Sequence, residues 1–595
     1  MKTHLQSLLR EALEPLLAPA GIAAPETIQI DAAKDTKHGD FATNLALVLA
    51  KPLGKPPRAV AEALVKHLPA SNYVVKVEIA GPGFINFFLA KDAFQSVVRE
   101  VLERRENFGR IAPSPDKKVM VEFVSANPTG PLHVGHGRNA AFGDSIANLL
   151  AATGSTVWRE YYINDAGRQI NVLGVSVWLR YLELCGDDAL PFPRRAYPAD
   201  YIRQTAVKLK ERFGDKAFAF THREENLGLL PPDPETPDGA TDKQREKLKE
   251  QQEHYLDAWI LIATTVLQDD FGKLCRFALD DQLASIRKTL GDFGVRFDNW
   301  YSERDLVDSG LAEKRRGELV ASGHTYEKNG ALWFRTTEQG DDKDRVLVRA
   351  DGSATYFGND LAYHVDKLDR GWSQLIDVWG ADHHGLLVRM RAAIKALTGR
   401  DDALRVPLIQ FVTLSSGKMG KRSGNFVTLQ DLIDEAGRDA TRFFYLMRSH
   451  DQHLEFDIDL ARSQSTDNPV YYVQYAHARI CSVFAQLAER GGKWDRELAL
   501  RSLDRLDTEH EKALLTALNR YAEVLRLAAT HLAPHTLAFY LKNELADALH
   551  SYYNAHKFLV DDAGLQAARL ALIDATRIVL MSALGILGVS APEKM

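Results

Sequence analysis

The 595-residue sequence contains few cysteines and no long apolar run. Its three cysteines, Cys185, Cys275 and Cys481, stand far apart and form no CxxC pair, which disfavours a disulfide framework and a structural zinc site. No hydrophobic stretch approaches the roughly 20 residues that cross a bilayer. The N-terminal segment carries acidic residues that a secretory signal lacks. These absences predict a cytoplasmic protein with no zinc and no membrane association.

The sequence also lacks an excess of positive charge. Its net charge is −6 at pH 7, so no global electrostatic field draws it to nucleic acid, and any RNA contact requires local basic patches. With 45% hydrophobic and 26% charged residues, it has the composition of an ordinary globular protein. The length alone indicates roughly three to five domains. No feature of the sequence points to an obligate protein partner.

Three units of different periodicity follow one another along the chain. Residues 1–110 mix helical and strand patterns, and the proline-containing segment IAPSPDKK after them predicts a linker. Residues 116–462 open with strand, crossover helix and strand, the βαβ unit of a parallel nucleotide-binding sheet, and carry an insertion at about 170–345. Residues 463–595 show almost only helical periodicity. We therefore expect a multidomain α/β protein with a Rossmann-like parallel-sheet domain, a small α+β N-terminal domain and an all-helical C-terminal domain.

Within the insertion, a segment near residues 228–250 is rich in proline and charge. Such a composition supplies few side chains that a core could bury. The segment therefore predicts a surface insertion with little packed core.

The first segment that suggests chemistry is His133-Val134-Gly135-His136, in a loop that enters a helix just after a strand. Backbone N–H groups and the helix dipole attract phosphate at such a position. Two imidazoles there can donate hydrogen bonds to phosphate oxygens, and Gly135 lets an adenine or ribose approach the backbone. A simpler interpretation is a pair of surface histidines at a helix start. Alone, the loop is only modest support for a phosphate site.

The same loop overlaps a dinucleotide-binding pattern. Gly135, Gly137 and Ala140 spell GxGxxA, and Glu160 follows about twenty residues later. That pattern requires the strand to run almost directly into the first glycine. Here six residues with two prolines intervene, and proline cannot extend the strand ladder. A dehydrogenase is therefore a minor alternative.

The second segment is LSSGKMGKRSGNFVTL, which holds Lys418, Met419 and Lys421 between glycines. Lysines on glycine hinges can close over a triphosphate and stabilise the charge that develops on pyrophosphate. The Walker A pattern GxxxxGK[ST] is absent. By itself the segment fits a solvated basic loop equally well. An HxGH loop followed almost 290 residues later by such a loop is much more specific.

Taken together, the two segments resemble the HIGH and KMSKS motifs of class I aminoacyl-tRNA synthetases. Val134 departs from the first motif, and Gly420 and Arg422 depart from the second, but both lysines remain. Within the class, the flanking segments VEFVSANPTGPLHVGHGRNA, YYINDAGRQI, WGADHHG and GVSAPEKM are similar to the arginyl-tRNA synthetases. This similarity covers nearly the whole chain apart from the proline-rich insertion.

The resemblance implies an enzyme that activates L-arginine with ATP to arginyl-adenylate and transfers it to the 3′ end of tRNA-Arg. It assigns positioning and charge stabilisation to His133, His136, Lys418 and Lys421, with Mg²⁺ on the phosphates, and adds Gly135 and Met419 to the ATP site. It also implies activation that depends on bound tRNA and no editing. Two alternatives stay open, namely a non-catalytic tRNA-binding paralogue and a class I synthetase for another amino acid.

The family's arginine-binding positions also carry over to this sequence. Glu122, Ser125 and Asn127 fall where the family holds the α-amino and carboxylate ends of arginine, and Tyr356 and Asp360 fall where it holds the guanidinium. A carboxylate can accept the planar guanidinium fork with two hydrogen bonds. The spacing of four would place both side chains on one helical face. Without the resemblance, a core tyrosine and a capping aspartate would explain the second pair.

Two further assignments come with the resemblance. His383 and His384 belong to the arginine site, although with Asp382 they also invite a metal interpretation that no third ligand at helix spacing supports. For tRNA, the resemblance suggests the first domain and the start of the helical tail. Each of these aromatic residues is also explained by core packing. The residues proposed to contact tRNA are Phe84, Asn86, Tyr471, Tyr475 and Arg479, with His477 beside them.

Overall fold

The computed structural model shows a multidomain α/β fold, with a small N-terminal unit and a larger remainder. It describes most of the chain. The described residues are 1–25, 28–33, 36–90, 93–187, 189–235, 241–352, 355–400, 402–415 and 427–595. The side chains of six residues are also outside the description, namely Thr3, Ala32, Thr36, Gln339, Tyr356 and His384. Among the described residues, no helix is both long enough and apolar enough to cross a membrane.

A small antiparallel sheet with three helices forms the N-terminal unit. Its strands are ordered β1-β2-β4-β3, and its buried side chains run from Leu5 to Phe87. The predicted α+β character is confirmed. The elements are α1 (Lys2–Leu17), β1 (Asp31–Ala32), β2 (Phe41–Thr43), α2 (Leu45–Leu53), α3 (Pro57–His67), β3 (Val74–Ala80) and β4 (Phe84–Leu89).

The separate core of this unit ends before the predicted boundary at residue 110. Helix α4 (Ser96–Arg104) buries Val97, Val98 and Val101 in the main core of the molecule. Its apolar face packs chiefly on C-terminal helices rather than on the small sheet. The helix belongs by packing to the larger half of the molecule.

The main sheet is parallel throughout and five strands wide. Its order is β13-β11-β5-β6-β7, so the central strand β5 lies between β11 and β6, two strands that are far from each other in the sequence. The predicted βαβ unit is confirmed as β5, α5 and β6. The elements of the sheet and the crossover helix are β5 (Ile111–Glu122), α5 (Val134–Ala152), β6 (Thr153–Ile163), β7 (Asn299–Ser302), β11 (Gln374–Asp377) and β13 (Leu404–Arg405).

The segment IAPSPDKK is not a linker, contrary to our prediction. It forms the first part of β5, where Ile111 pairs with Thr153 and Ser114 with Ser155 of β6. The pairing shifts register twice along this stretch. Prolines are tolerated where a ladder is irregular and the side chains are exposed, so their presence does not exclude a strand.

The insertion after β6 has a core of its own. Trp178 of the first helix and Trp259 of the fourth are fully buried in it, with ring centroids 6.3 Å apart. Its helices are α6 (Arg168–Leu184), α7 (Asp200–Phe213), α8 (Arg223–Leu227), α9 (Asp242–Leu267) and α10 (Asp269–Asp292).

The end of the proline-rich segment is helical, and its residues 241–250 are almost all exposed, in agreement with the prediction of a surface insertion with little packed core. Thr241 caps a 26-residue helix, α9, whose first turns are exposed and whose later turns bury Tyr255 and Trp259. Residues 236–240 lie outside the described residues. Charged residues in the first turns concealed the helix in the sequence, because its apolar stripe begins only later.

After β7, smaller elements lead to the carboxyl edge of the main sheet and to the end of the unit that contains it. Strands β8, β9 and β10 form a small antiparallel sheet, while β12 pairs with β14 and β15 with β16 in parallel. These elements are α11 (Glu303–Asp308), α12 (Leu311–Ala321), β8 (Thr325–Lys328), β9 (Ala331–Phe334), β10 (Arg345–Val348), α13 (Tyr356–Asp369), β12 (Trp379–Gly380), α14 (His384–Thr398), β14 (Leu408–Ile409), β15 (Val412–Leu414), α15 (Leu429–Ala436), α16 (Arg438–Leu446), β16 (Leu454–Phe456) and α17 (Ile458–Arg462).

The C-terminal part, residues 463–595, is entirely described and entirely helical outside its turns, as predicted. Its buried side chains are continuous with the core of the main sheet, so the two units pack as one body. Its helices are α18 (Pro469–Glu489), α19 (Arg496–Arg501), α20 (Glu509–Thr530), α21 (Pro534–Tyr540), α22 (Asp547–Ala555) and α23 (Ala563–Ile586), with a π-helical turn at Leu541–Ala546.

Candidate active site

A strained turn follows the central strand β5 and begins the candidate site. Val124 and Ser125 have φ values of 66° and 39°, a left-handed conformation that non-glycine residues rarely adopt. Asn139 of α5 fixes the turn, since its Oδ1 accepts from Val124 N at 2.7 Å and its Nδ2 donates to Val378 O at 3.0 Å. Such strain persists only where surrounding contacts enforce it, which is common at functional sites.

The turn brings together the three residues predicted for the α-amino and carboxylate ends of arginine. Ser125 Oγ donates to Glu122 Oε1 at 2.9 Å, and Glu122 Oε2 accepts from the ammonium of Lys367. Asn127 is exposed, and its Oδ1 accepts from Asn164 Nδ2 at 3.1 Å. The structure thus places one buried carboxylate and two polar side chains at the carboxyl edge of the sheet.

Asp360, predicted for the guanidinium, lies in the second turn of α13. Burial raises the pKa of Asp360 to about 7, with the carboxylates of Glu303 and Glu122 adding to the rise and with His364 and Lys367 opposing it. The aspartate is therefore close to half protonated at neutral pH. Tyr356 begins the same helix, one turn earlier, but its side chain lies outside the described residues.

Two residues that sequence reasoning missed surround Asp360. Glu303, at the start of α11, is buried and accepts from Asn359 Nδ2 at 3.4 Å; burial raises its pKa, and Asp165 adds to the rise. The pKa of Tyr162 is raised by burial and then by Glu303, Asp360 and Glu122, so its hydroxyl lies among three carboxylates. Tyr162 belongs to the quoted segment YYINDAGRQI, but Glu303 carried no signal in the sequence.

The histidine loop forms a reciprocal cap at the start of α5. His133 Nδ1 accepts from Gly135 N at 3.0 Å and from His136 N at 3.4 Å, while His136 Nδ1 accepts from His133 N at 3.2 Å. The two rings stack with centroids 3.6 Å apart. An imidazole that accepts at Nδ1 carries its proton at Nε2. Both residues therefore hold an Nε2–H donor for a ligand.

Burial keeps both of these histidines neutral. Burial lowers the pKa of His136 to about 3, with a further contribution from His133, and it also lowers the pKa of His133. The loop is thus a pair of neutral donors at physiological pH. It does not carry a fixed positive charge.

The glycines of this loop are required by protein contacts. A Cβ on Gly135 would lie 2.9 Å from Cε1 of His133, so the absence of a side chain lets the stacked histidine ring approach the backbone here. A Cβ on Gly137 would lie 2.5 Å from Leu429 Cδ1 and 3.0 Å from the Tyr445 hydroxyl. These glycines let a side chain and a neighbouring helix approach the start of α5 closely.

The predicted lysine loop, with Lys418, Met419 and Lys421, lies outside the described residues. The described chain just after it returns to the histidine loop. Leu429 N donates to Leu132 O at 2.7 Å, and Thr428 forms a β-bridge with His133. The histidine loop is therefore joined to Thr428 and Leu429, which follow the lysine segment in the sequence.

The dinucleotide interpretation is wrong. Glu160, which would bind a ribose, is fully buried and accepts two hydrogen bonds of 2.7 Å from Arg370. It also accepts from the Tyr363 hydroxyl at 2.8 Å and from Asn299 Nδ2 at 2.9 Å. A carboxylate with these partners has no face open to a nucleotide.

Comparison with known proteins agrees with this geometry along the whole chain. Residues 3–89 match the family described as arginyl tRNA synthetase N terminal domain, 97–187 match tRNA synthetases class I (R), catalytic domain, and 473–595 match DALR anticodon binding domain. The chain is 51% identical to the arginine–tRNA ligase of Thioalkalivibrio sulfidiphilus, over all of both sequences. It belongs to the arginyl-tRNA synthetase family.

Other members of the family agree. The arginine–tRNA ligase of Legionella pneumophila strain Paris is 49% identical, again over all of both sequences. The solved arginyl-tRNA synthetase of Thermus thermophilus, 24% identical, shares the fold with a TM-score of 0.72 over all of both chains. The predicted family is confirmed, and a dehydrogenase is excluded.

The residues suggested for tRNA binding differ in how far their side chains are exposed. Phe84 is 41% exposed at the start of β4, whereas Asn86 of the same strand is 5% exposed, which leaves it little surface for RNA. In α18, the rings of Tyr471 and Tyr475 stack with centroids 5.9 Å apart and are half-buried. His477 is buried and bonded to Pro592 O at 2.9 Å, so it packs in the core and does not reach RNA.

Arg479 has protein partners on several sides. Its guanidinium lies 3.7 Å from the centroid of the Tyr553 ring, and it donates to His550 Nδ1 at 3.0 Å and to Asn554 Oδ1 at 2.9 Å. It is half-buried. Packing between α18 and α22 explains the presence of Arg479, and RNA binding explains it equally well.

His383 and Asp382 are exposed just before α14, with His383 Nε2 3.7 Å from Asp382 Oδ2. The side chain of His384 lies outside the described residues. Within the described part of the chain, no group of three or more His, Cys, Asp or Glu side chains could hold a metal ion.

Proposed function

We propose that the residues gathered at the carboxyl edge of the main sheet activate L-arginine with ATP and transfer it to the 3′ end of tRNA-Arg. By its family the chain is an ATP-using arginine–tRNA ligase of class I. The residue assignments rest on one observation, namely two acidic sites at the carboxyl edge of the main sheet. Glu122 forms one site, Asp360 and Glu303 form the other, and the histidine loop lies on the adjoining helix.

Asp360 and Glu303 would hold the guanidinium group of arginine. The planar guanidinium fork fits a carboxylate with two hydrogen bonds, and a nearby second carboxylate matches its remaining donors. A cation placed here would lower the raised pKa of Asp360, because opposite charge favours the ionised carboxyl. Tyr356, at the start of the same helix, is proposed as a further contact. A lysine substrate would leave these buried acids incompletely paired.

Glu122, Ser125 and Asn127 would hold the other end of arginine. Glu122 presents a carboxylate to the α-ammonium group, and Ser125 and Asn127 add polar contacts along the same turn. The strained backbone fixes where these groups lie relative to α5. His383 and His384, at the neighbouring strand end, are retained as proposed contacts.

The ATP site would be formed by His133, Gly135, His136 and the loop with Lys418, Met419 and Lys421. In the first step, an arginine carboxylate oxygen attacks the α-phosphorus of ATP and pyrophosphate leaves. In the second step, a ribose hydroxyl of the tRNA attacks the arginyl carbonyl carbon and AMP leaves. The histidine Nε2–H groups and the lysines would stabilise charge on the phosphates. Mg²⁺ would be held mainly by phosphate oxygens, as is usual for nucleotide-bound magnesium.

The tRNA would be contacted by two separate regions. Phe84 offers an exposed ring on which an unstacked base can lie. Tyr471, Tyr475 and Arg479 lie at the start of the helical part, and the anticodon-domain match begins at residue 473. A cytoplasmic location, where tRNA is charged, completes the proposal.

The test is an aminoacylation assay with each labelled amino acid in turn. Purified protein, ATP, Mg²⁺ and bulk tRNA are incubated, and label on acid-precipitable tRNA is counted. We expect label from arginine alone, and no pyrophosphate exchange without tRNA. Label from another amino acid would overturn the guanidinium site. Binding of tRNA without any label would favour the non-catalytic paralogue.

A further inference from the structure

Lys367 is a fully buried lysine beneath the proposed arginine site. It lies in α13, is 0% exposed, and has no route to solvent for its ammonium group. Burial lowers the pKa of Lys367, but the carboxylates of Asp377 and Glu122 more than reverse this, so its pKa lies above the ordinary lysine value. A buried ammonium is retained only where its partners compensate for lost hydration.

The partners of this lysine are two acids that the sheet forces together. Glu122 ends β5 and Asp377 ends β11, and the two residues are directly paired across these parallel strands. Lys367 Nζ donates to Glu122 Oε2 and to both oxygens of Asp377, at 2.9 and 3.1 Å. Two adjacent buried carboxylates cannot both stay ionised without a cation between them.

His364, one turn earlier in α13, serves the far side of Asp377. Its Nε2 lies 2.6 Å from Asp377 Oδ2, and its Nδ1 lies 2.6 Å from the carbonyl oxygen of Asp360. Both partners are oxygen atoms, and the ring links Asp377 to the backbone of α13. Although burial raises it, the pKa of Asp377 is held below its usual range by Lys367 and His364. Asp377 is therefore ionised and needs Lys367 beside it.

We propose that Lys367 is a positioning residue that holds the Glu122 carboxylate beside Asp377, in the place where it can bind the α-ammonium group of arginine. The inference rests on the proposed role of Glu122. Without the ammonium, Asp377 faces the Glu122 carboxylate with no cation between them, and like charges repel. Asp377 is 0% exposed and still has His364, whereas Glu122 is 8% exposed and bonded to Ser125, so Glu122 is the side chain that moves. A displaced Glu122 no longer pairs with the substrate's ammonium.

The test compares arginine with 5-guanidinopentanoic acid, which is arginine without its α-amino group. The KM for arginine and the inhibition constant of the analogue are measured in the aminoacylation reaction, and the inhibition constant divided by the KM reports recognition of the amino group. In Lys367→Met we expect this ratio to fall at least tenfold, with the analogue's inhibition constant and the KM for ATP unchanged. Lys314→Met, on the exposed surface of α12, is the matched control and should leave the ratio unchanged.

A second variant separates charge from packing. In the double variant Lys367→Met/Asp377→Asn, the acid pair and the cation disappear together, so nothing repels the Glu122 carboxylate and the ratio should return to within about threefold of wild type. This variant also keeps the buried charge balanced if the single variant does not fold. A ratio that stays low in a folded double variant would mean that Lys367 acts by packing alone, which overturns the proposal.

The variant Glu122→Gln separates the role of Lys367 from the proposed role of Glu122, on which it rests. The ratio should collapse in that variant, because the amide cannot pair with an ammonium. If Glu122→Gln keeps the wild-type ratio, the role of Glu122 is wrong and the inference is overturned with it. If Glu122→Gln collapses the ratio but Lys367→Met keeps it, only the role of Lys367 is overturned.

Discussion

The arginine half and the nucleotide half of the candidate site recognise charge in opposite ways. Around Glu122 and Asp360 the protein buries several carboxylates and supplies too few cations to balance them. Around His133 and His136 it supplies imidazoles whose lowered pKa keeps them neutral, each with an Nε2–H donor. One half awaits a cationic substrate, and the other presents neutral donors to an anionic one.

The difference follows from what each half must do. In the proposed site, an acidic pocket would select arginine because an uncharged or differently shaped side chain leaves buried acids unpaired. ATP would arrive with Mg²⁺ on its phosphates, so neutral donors could orient it without holding it too tightly before the charge develops. Fixed ionic charge would thus provide specificity in one half, and positioned dipoles would provide catalysis in the other.

The largest effect should come from removing the guanidinium carboxylate. Asp360→Asn should lower kcat/KM for arginine by about 10³-fold, since losing one partner of a buried charged pair costs about 2–5 kcal/mol. The KM for ATP should not change. Steady-state aminoacylation at varied arginine and ATP measures both. Asp369→Asn, at the exposed end of the same helix, should behave as wild type. An equal loss for both substrates would refute the separation into two halves.

In the other half, His136→Ala should lower kcat of arginine activation by about 10²-fold, the usual cost of removing one preorganised donor. The KM for arginine should stay within about twofold, because a phosphate donor does not touch the amino acid. Pyrophosphate exchange in the presence of tRNA measures both quantities. The exposed His222 provides the control His222→Ala. Wild-type kcat in His136→Ala would remove the role assigned to this ring.

The two halves should also differ in their response to pH. Asp360 binds the guanidinium when ionised, and its pKa is raised to about 7 in the free protein. Below pH 7, kcat/KM for arginine should therefore fall by about tenfold per pH unit. The KM for ATP should be flat between pH 6 and 8, because both histidines stay neutral there. Burial lowers the pKa of His136 to about 3, and it also lowers the pKa of His133 below its ordinary value. Parallel pH profiles for both substrates would contradict this contrast.

The smallest expected effect concerns the shape of the histidine loop. Gly135→Ala places a Cβ against the His133 ring and should turn it away from its stacked position. An off-rotamer shift costs about 1 kcal/mol, which corresponds to about a fivefold loss in kcat/KM for ATP. Gly399→Ala, at an exposed position with nothing near its Cβ, tests for unspecific effects, although its φ of 71° costs some stability. If Gly135→Ala lowered kcat/KM for arginine alone, the prediction would be wrong.

Several parts of the fold were predictable because they depend on local patterns. The βαβ unit follows from periodicity, and so does the all-helical end from residue 463. The strand at IAPSPDKK and the start of α9 at Asp242 were missed. In both, the residues are exposed and charged, so their conformation depends on pairing or on a later apolar stripe that local composition does not reveal.

The sequence by itself determined which chemistry is available: two histidines and two lysines in phosphate-type loops, and acids at strand and helix ends. The tertiary structure decided which of these groups meet and in what charge state. Lys367 reaches Glu122 across 245 positions of sequence, and Glu303 joins Asp360 from a separate helix. The physical reason is burial, because the protonation of Asp360, His136 and Lys367 depends on a local environment that exists only after the chain has folded.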